Sequence, residues 1–86
     1  MSGQSLRNHL EALRRELAAA ERLDGETRAQ LDRLAEEIDE VLGADEPDFG
    51  SLRERAAAAA LRFEAEHPRF ARVLSDVTDT LAKLGF

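Results

Sequence analysis

The sequence predicts an all-α helical bundle, and three observations carry that expectation. Apolar residues recur at alternating spacings of four and three along most of the chain, which places them on one stripe of an amphipathic helix. No period-2 alternation of any length occurs, so no strand is expected. The helix breakers at Gly25, Gly43, Pro47, Gly50, Pro68 and Gly85 fall between or beyond those stripes.

The first stripe is Leu6, Leu10, Leu13, Leu17 and Ala20, which predicts a helix over about 6–22 with Ser5 as its N-cap. Leu23-Asp24-Gly25 interrupts it. Asp24 is placed to cap a second helix, with Glu26 favourable against its dipole. That helix, about 25–42, carries Thr27, Leu31, Leu34, Ile38 and Val41, with Ala35 and Leu42 widening the stripe and Gly43 as a left-handed stop. A connection of two or three residues predicts an antiparallel hairpin. Residues 43–50 form the only longer loop, in which Phe49 is the one large apolar residue and is expected to fold back onto the core.

Beyond that loop, Ser51 and Glu54 make a capping-box pattern, with Asp48 competing as the cap. Leu52, Ala56, Ala59 and Phe63 form the third stripe. The unbroken alanines from Ala56 to Ala60 let another helix approach closely. Pro68 interrupts again, pushing His67 out of the α region. The fourth stripe follows at once with Phe70, Leu74, Val77, Leu81 and Leu84, and Val73 alongside. The hairpin is therefore expected to pack on a helix 3/4 unit over about 51–84, kinked or broken at Pro68. Gly85 and Phe86 read as a Schellman stop, with Phe86 packing on Leu81. Residues 1–86 form one domain.

Composition narrows function by exclusion. A chain of 86 residues has a thin core, burying about 60–65% of its unfolded surface, and a deep substrate cavity is not expected. The net charge is −6. Residues 24–48 hold most of it, with ten acidic and two basic side chains. Such a chain does not attract nucleic acid or an anionic membrane surface. The absence of Cys removes disulfides and thiolate chemistry, and fits a reducing cytoplasm. No apolar run is long enough to span a membrane, and Met1 to Leu10 lacks a signal-peptide h-region.

Few residues suggest chemistry. Glu64-Ala65-Glu66-His67 contains Glu-x-x-His, the ligand pair of di-iron carboxylate bundles when it lies on one helix face. Those sites need two copies and two further glutamates, so the alternative reading is a metal-binding bundle using Glu64 and His67 in a dimer. The plainer one has Glu64 solvated and His67 buttressing the Pro68 junction. His9 reads as a surface or boundary residue. Ser5, Ser51 and Ser75 read as caps or exposed helix positions. The acidic run over 36–48 is a solvated face, a docking surface for a basic partner or a weak divalent-cation site, though it lacks the EF-hand pattern. Arg62, Arg69 and Arg72 suit pairing with acidic groups of a neighbouring helix or subunit. No catalytic residue, resident metal or cofactor is expected.

Arg62-Phe63-Glu64-Ala65-Glu66-His67-Pro68, together with the ending Leu81-Ala82-Lys83-Leu84-Gly85-Phe86, resembles a small bacterial family catalogued as domain of unknown function 4404. The early leucine-rich helix and the Leu23-Asp24 turn are similar to it as well. Phe86 departs mildly from that pattern, which more often ends in Ile. The resemblance implies no activity, cofactor or partner.

The function expected from these features is that of a small cytoplasmic, non-enzymatic protein acting through helix–helix association, with an unidentified protein partner or a second copy. If helices 3 and 4 form one rod, the hairpin covers only half its stripe. Phe70, Leu74, Val77, Leu81 and Phe86 are then the expected homodimer interface. If the chain turns sharply at His67-Pro68, helix 4 folds back and closes a four-helix monomer.

Overall fold

A computed structural model describes residues 2–85 of the chain. It contains α1 (Ser2–Ala19), α2 (Gly25–Gly43), α3 (Phe49–Phe63) and α4 (Pro68–Leu84), with no strand among the described residues. The protein is an all-α four-helix bundle measuring 36 × 20 × 19 Å.

Successive helices run antiparallel, and the last returns to the first. Arg28 near the start of α2 reaches the Leu17 and Ala20 carbonyls at the end of α1. Arg55 and Arg62 of α3 face Glu37 and Gln30 of α2. His9 near the start of α1 meets Thr80 near the end of α4, with Nε2 and Oγ1 sharing a hydrogen bond of 3.1 Å. The helices thus sit at four corners in the order α1, α2, α3, α4. The α3–α4 seam is the most intimate, α4 and α2 both lie along α1, and α2 touches α3 only lightly.

The core is one cluster built from the four stripes. Leu6, Leu10, Leu13 and Leu17 of α1 are buried, as are Leu31, Leu34, Ala35 and Ile38 of α2. From the second half come Leu52, Ala56, Ala59 and Phe63 of α3, with Phe70, Ala71, Leu74, Val77 and Leu81 of α4. Each helix therefore buries the face its periodicity assigns. Phe49 packs on this cluster half-buried, although it opens α3 and does not belong to the loop.

The helix ends differ from the sequence expectation in instructive ways. Ser5 lies inside α1 and caps nothing. That helix stops at Ala19, and residues 20–24 make the turn. Its C-terminal carbonyls are bound from outside: Arg28 of α2 donates Nη1 to Leu17 O (3.2 Å) and Nη2 to Ala20 O (3.1 Å). The guanidinium fork spans two carbonyls and brings a positive charge to the negative end of the helix dipole. Asp24 caps α2 as expected, its Oδ1 accepting from Thr27 N at 2.7 Å. That bond from the Thr27 backbone, reinforced by the Thr27 side chain, holds the Asp24 carboxyl below the ordinary value.

Gly43 is not a left-handed stop. No glycine among the described residues has positive φ, and α2 ends on Ala44 in extended conformation (φ −84°, ψ 144°). Asp48, not Ser51, caps α3, accepting from Ser51 N at 3.0 Å. Gly85 ends α4 with φ −74° and donates its N–H to Leu81 O at 2.9 Å. The Schellman arrangement is therefore not formed at Gly85, and the contact expected of Phe86 lies outside the described residues.

At Pro68 the chain is broken, not kinked. Residues 64–66 turn and His67 adopts φ −135°, ψ 66°, the extended direction forced by the proline ring that follows. Pro68 opens α4, where its missing N–H costs nothing. The His67 ring is edge-on to Phe63 (centroids 5.9 Å apart) and to Phe70 (6.2 Å), filling the corner between the two helices.

Candidate functional site: the groove between α2 and α3

The turn at residues 64–67 changes the fate of the expected interface. With α4 folded back between α1 and α3, Phe70, Leu74, Val77 and Leu81 lie at 4%, 0%, 0% and 1% exposure inside the chain itself. They are core residues, and the uncovered stripe expected of a continuous rod does not exist. Phe86, the fifth of that set, lies outside the described residues.

Glu64 and His67 are separated in role by the same turn. The α3 helix ends at Phe63, so the two no longer share a helix face, as a Glu-x-x-His ligand pair must. Glu64 is exposed, while His67 is half-buried between its aromatic neighbours. No cluster of three His, Cys, Asp or Glu suited to a metal ion occurs among the described residues. His9 is a boundary residue tied to Thr80.

The acidic run disperses. Glu37 turns to Arg55, Asp48 caps α3, and Glu36, Glu40, Asp45 and Glu46 are exposed. No charged or polar side chain is buried among the described residues.

What the fold does build is a groove along the α2–α3 seam. It has a volume of about 270 Å³ and is lined by Gln30, Arg33, Leu34 and Glu37 of α2 and by Arg55, Ala58, Ala59 and Arg62 of α3. Leu34, Ala58 and Ala59 make an apolar floor, and alanine is too short to close the gap to the facing helix. Two polar bridges cross it. Arg55 donates Nε to Glu37 Oε1 (3.2 Å), with Nη2 3.0 Å from Oε2, in the bidentate form typical of an Arg–carboxylate pair. Arg62 donates Nη1 to Gln30 Oε1 at 2.9 Å, a neutral partner that leaves its charge uncompensated. Arg33 has no ion-pair partner among the described residues. The rim thus carries three arginines against one glutamate over an apolar base, and its α2 edge continues into a depression lined by Asp32, Glu36 and Glu40.

Sequence reasoning picked out Arg62 and the alanine run but not their meeting with Gln30, Arg33 and Glu37. The signal was present in part: five consecutive alanines, more than one helical turn, ring α3 with short side chains, so any helix opposite meets little bulk there. Which helix stands opposite depends on the turn at Pro68, which periodicity does not specify.

The fold defines a small helical-bundle protein whose α2–α3 seam carries an open groove, not an enclosed cavity. The chain belongs to a family described as a domain of unknown function (DUF4404), whose model matches residues 6–86. No curated protein and no solved structure matches the chain. No helix among the described residues is long and apolar enough to cross a membrane.

Proposed function

We propose that this is a cytoplasmic, non-enzymatic interaction protein that works by helix–helix association, and that the α2–α3 groove receives the partner. The observation that carries the proposal is the pairing of an apolar floor with three arginines on the rim. Its complement is an amphipathic helix with a small apolar face flanked by carboxylates, docking in the helix-in-groove mode. Such carboxylates would take over Arg62, held by a neutral amide, and Arg33. The Arg55–Glu37 bridge is solvent-exposed, and opening it costs no more than about 1 kcal/mol, so the groove yields to a competitor.

A defined probe tests this. A helical peptide with Leu and Ala at positions i, i+3, i+4 and i+7 and Glu flanking that face is titrated into isotopically labelled protein beside a twin with Lys for each Glu. The Glu peptide is expected to shift the amide resonances of Leu34, Ala58 and Arg62, and the Lys twin to leave them in place. Ala58→Trp, which fills the channel from an exposed position, is expected to abolish the shifts without loss of helicity. Equal binding of both peptides, or shifts confined to another face, would sink the proposal.

A further inference from the structure

The opposite flank of α3 carries a second surface, distinct from the groove above. Leu61 is 75% exposed and is the one exposed large apolar side chain among the described residues. It stands beside a depression of about 360 Å³ between α3 and α4, where Ala60, Ala71 and Ser75 leave room and Glu64 and Arg72 supply charge. Neither Glu64 nor Arg72 has an ion-pair partner among the described residues.

A protruding leucine, an adjoining recess and one charge of each sign are the elements of a self-complementary contact. In a twofold arrangement every contact occurs twice with the roles exchanged. Leu61 of each copy then enters the recess of the other, and Glu64 of each copy meets Arg72 of the other. We propose that this α3–α4 face binds a second copy of the chain, in place of the buried α4 stripe. A foreign partner would need its own matching leucine, recess and charge pair, whereas a second copy supplies all three. The contact is small, of the transient class that buries less than about 1,200 Å², so dimerisation is expected to depend on concentration.

Sedimentation equilibrium of the full chain over a rising concentration series reads this directly. The wild type is expected to move from one-chain toward two-chain mass. Leu61→Asp should weaken self-association by about tenfold or more, as should Glu64→Arg and Arg72→Glu alone, since each single change sets like charges opposite one another. All three positions are exposed, and circular dichroism verifies that each variant keeps its fold. The decisive sample is an equimolar mixture of Glu64→Arg and Arg72→Glu chains. Across a twofold contact that mixture pairs opposite charges at both sites, so it should dimerise where neither variant does alone. A one-chain mass at every wild-type concentration overturns the proposal. So does a dimer indifferent to Leu61→Asp and its milder form Leu61→Gln, or a mixture that stays monomeric.

Discussion

The α4 seams and the α2–α3 seam are built from the same helical periodicity, yet the first bury a row of large apolar side chains and the second is spanned mainly by polar ones. Against α1 and α3, α4 presents Phe70, Leu74, Val77 and Leu81, and every one is buried. Ala56 of α3 and Ala71 of α4 are buried beside those larger side chains and add little bulk of their own. Toward α2, α3 offers Ala58 and Ala59 with arginines on either side. Leu34 of α2 is the one large apolar side chain among those lining that gap, and long polar side chains span it. The lesson is that period decides which face turns inward, whereas side-chain size decides whether two inward faces meet. The α4 seams hold their large side chains inside, and the α2–α3 seam leaves a shallow apolar floor within reach of a partner.

The largest effect is expected where the seams are closed. Val77→Glu combined with Leu81→Glu places two carboxylates in the core without partners, at a cost of several kcal/mol each. A domain of this size has roughly 5 kcal/mol or little more to lose. The double variant is expected to lose cooperative unfolding altogether, as read by circular dichroism against temperature. Retention of a sharp transition would mean that these residues face solvent or a second chain, and the contrast between the seams would collapse.

A middle-sized effect is expected at the α1–α2 turn. Arg28→Met keeps the aliphatic stem but removes both bonds to the Leu17 and Ala20 carbonyls. Charge-assisted bonds at a half-buried site contribute about 1–2 kcal/mol together, which in a chain this short is a melting-point loss of roughly 4–8 °C per kcal/mol. Arg28→Lys should recover only part, since a point charge cannot span two carbonyls as the fork does. If Arg28→Met melts with the wild type, α1 ends where it does for another reason.

The same turn marks how far the sequence could be read. Local rules located the four stripes, the Asp24 cap and the backbone of His67, because each depends on residues within one helical turn of itself. Arg28 escaped because its carbonyl partners lie 8 and 11 positions earlier, beyond any pattern of propensity or spacing. Ser51 and Asp48 were both sound caps by local chemistry. The structure uses Asp48, and the Ser51 hydroxyl instead accepts from Arg55 Nη1 at 2.7 Å. The turn at residues 64–67 is one of the two paths the sequence allows, and local rules do not choose between them. Proline rules say that the chain must leave the helix but not in which direction it re-enters one, and that direction moved four residues from an expected interface into the core. The groove inherits the same blindness, since its two walls are neighbours only in the folded chain.

The smallest effect is expected at the open seam and bears most directly on function. Arg55→Ala removes the bridge to Glu37, whose two side chains are 49% and 22% exposed. Exposed pairs contribute about 0.2–1 kcal/mol, because water screens them and two long side chains must be held in one geometry. The bidentate contact favours the upper part of that range, and added salt should erase most of the difference between variant and wild type. Urea unfolding at low and high ionic strength measures both quantities, with an unchanged slope showing that the denatured state is not altered. A loss above about 2 kcal/mol, or one indifferent to salt, would make the bridge a structural clasp that no partner helix could displace. A loss within the expected range leaves α2 and α3 joined by a contact that a competing carboxylate can open, as docking in the groove requires.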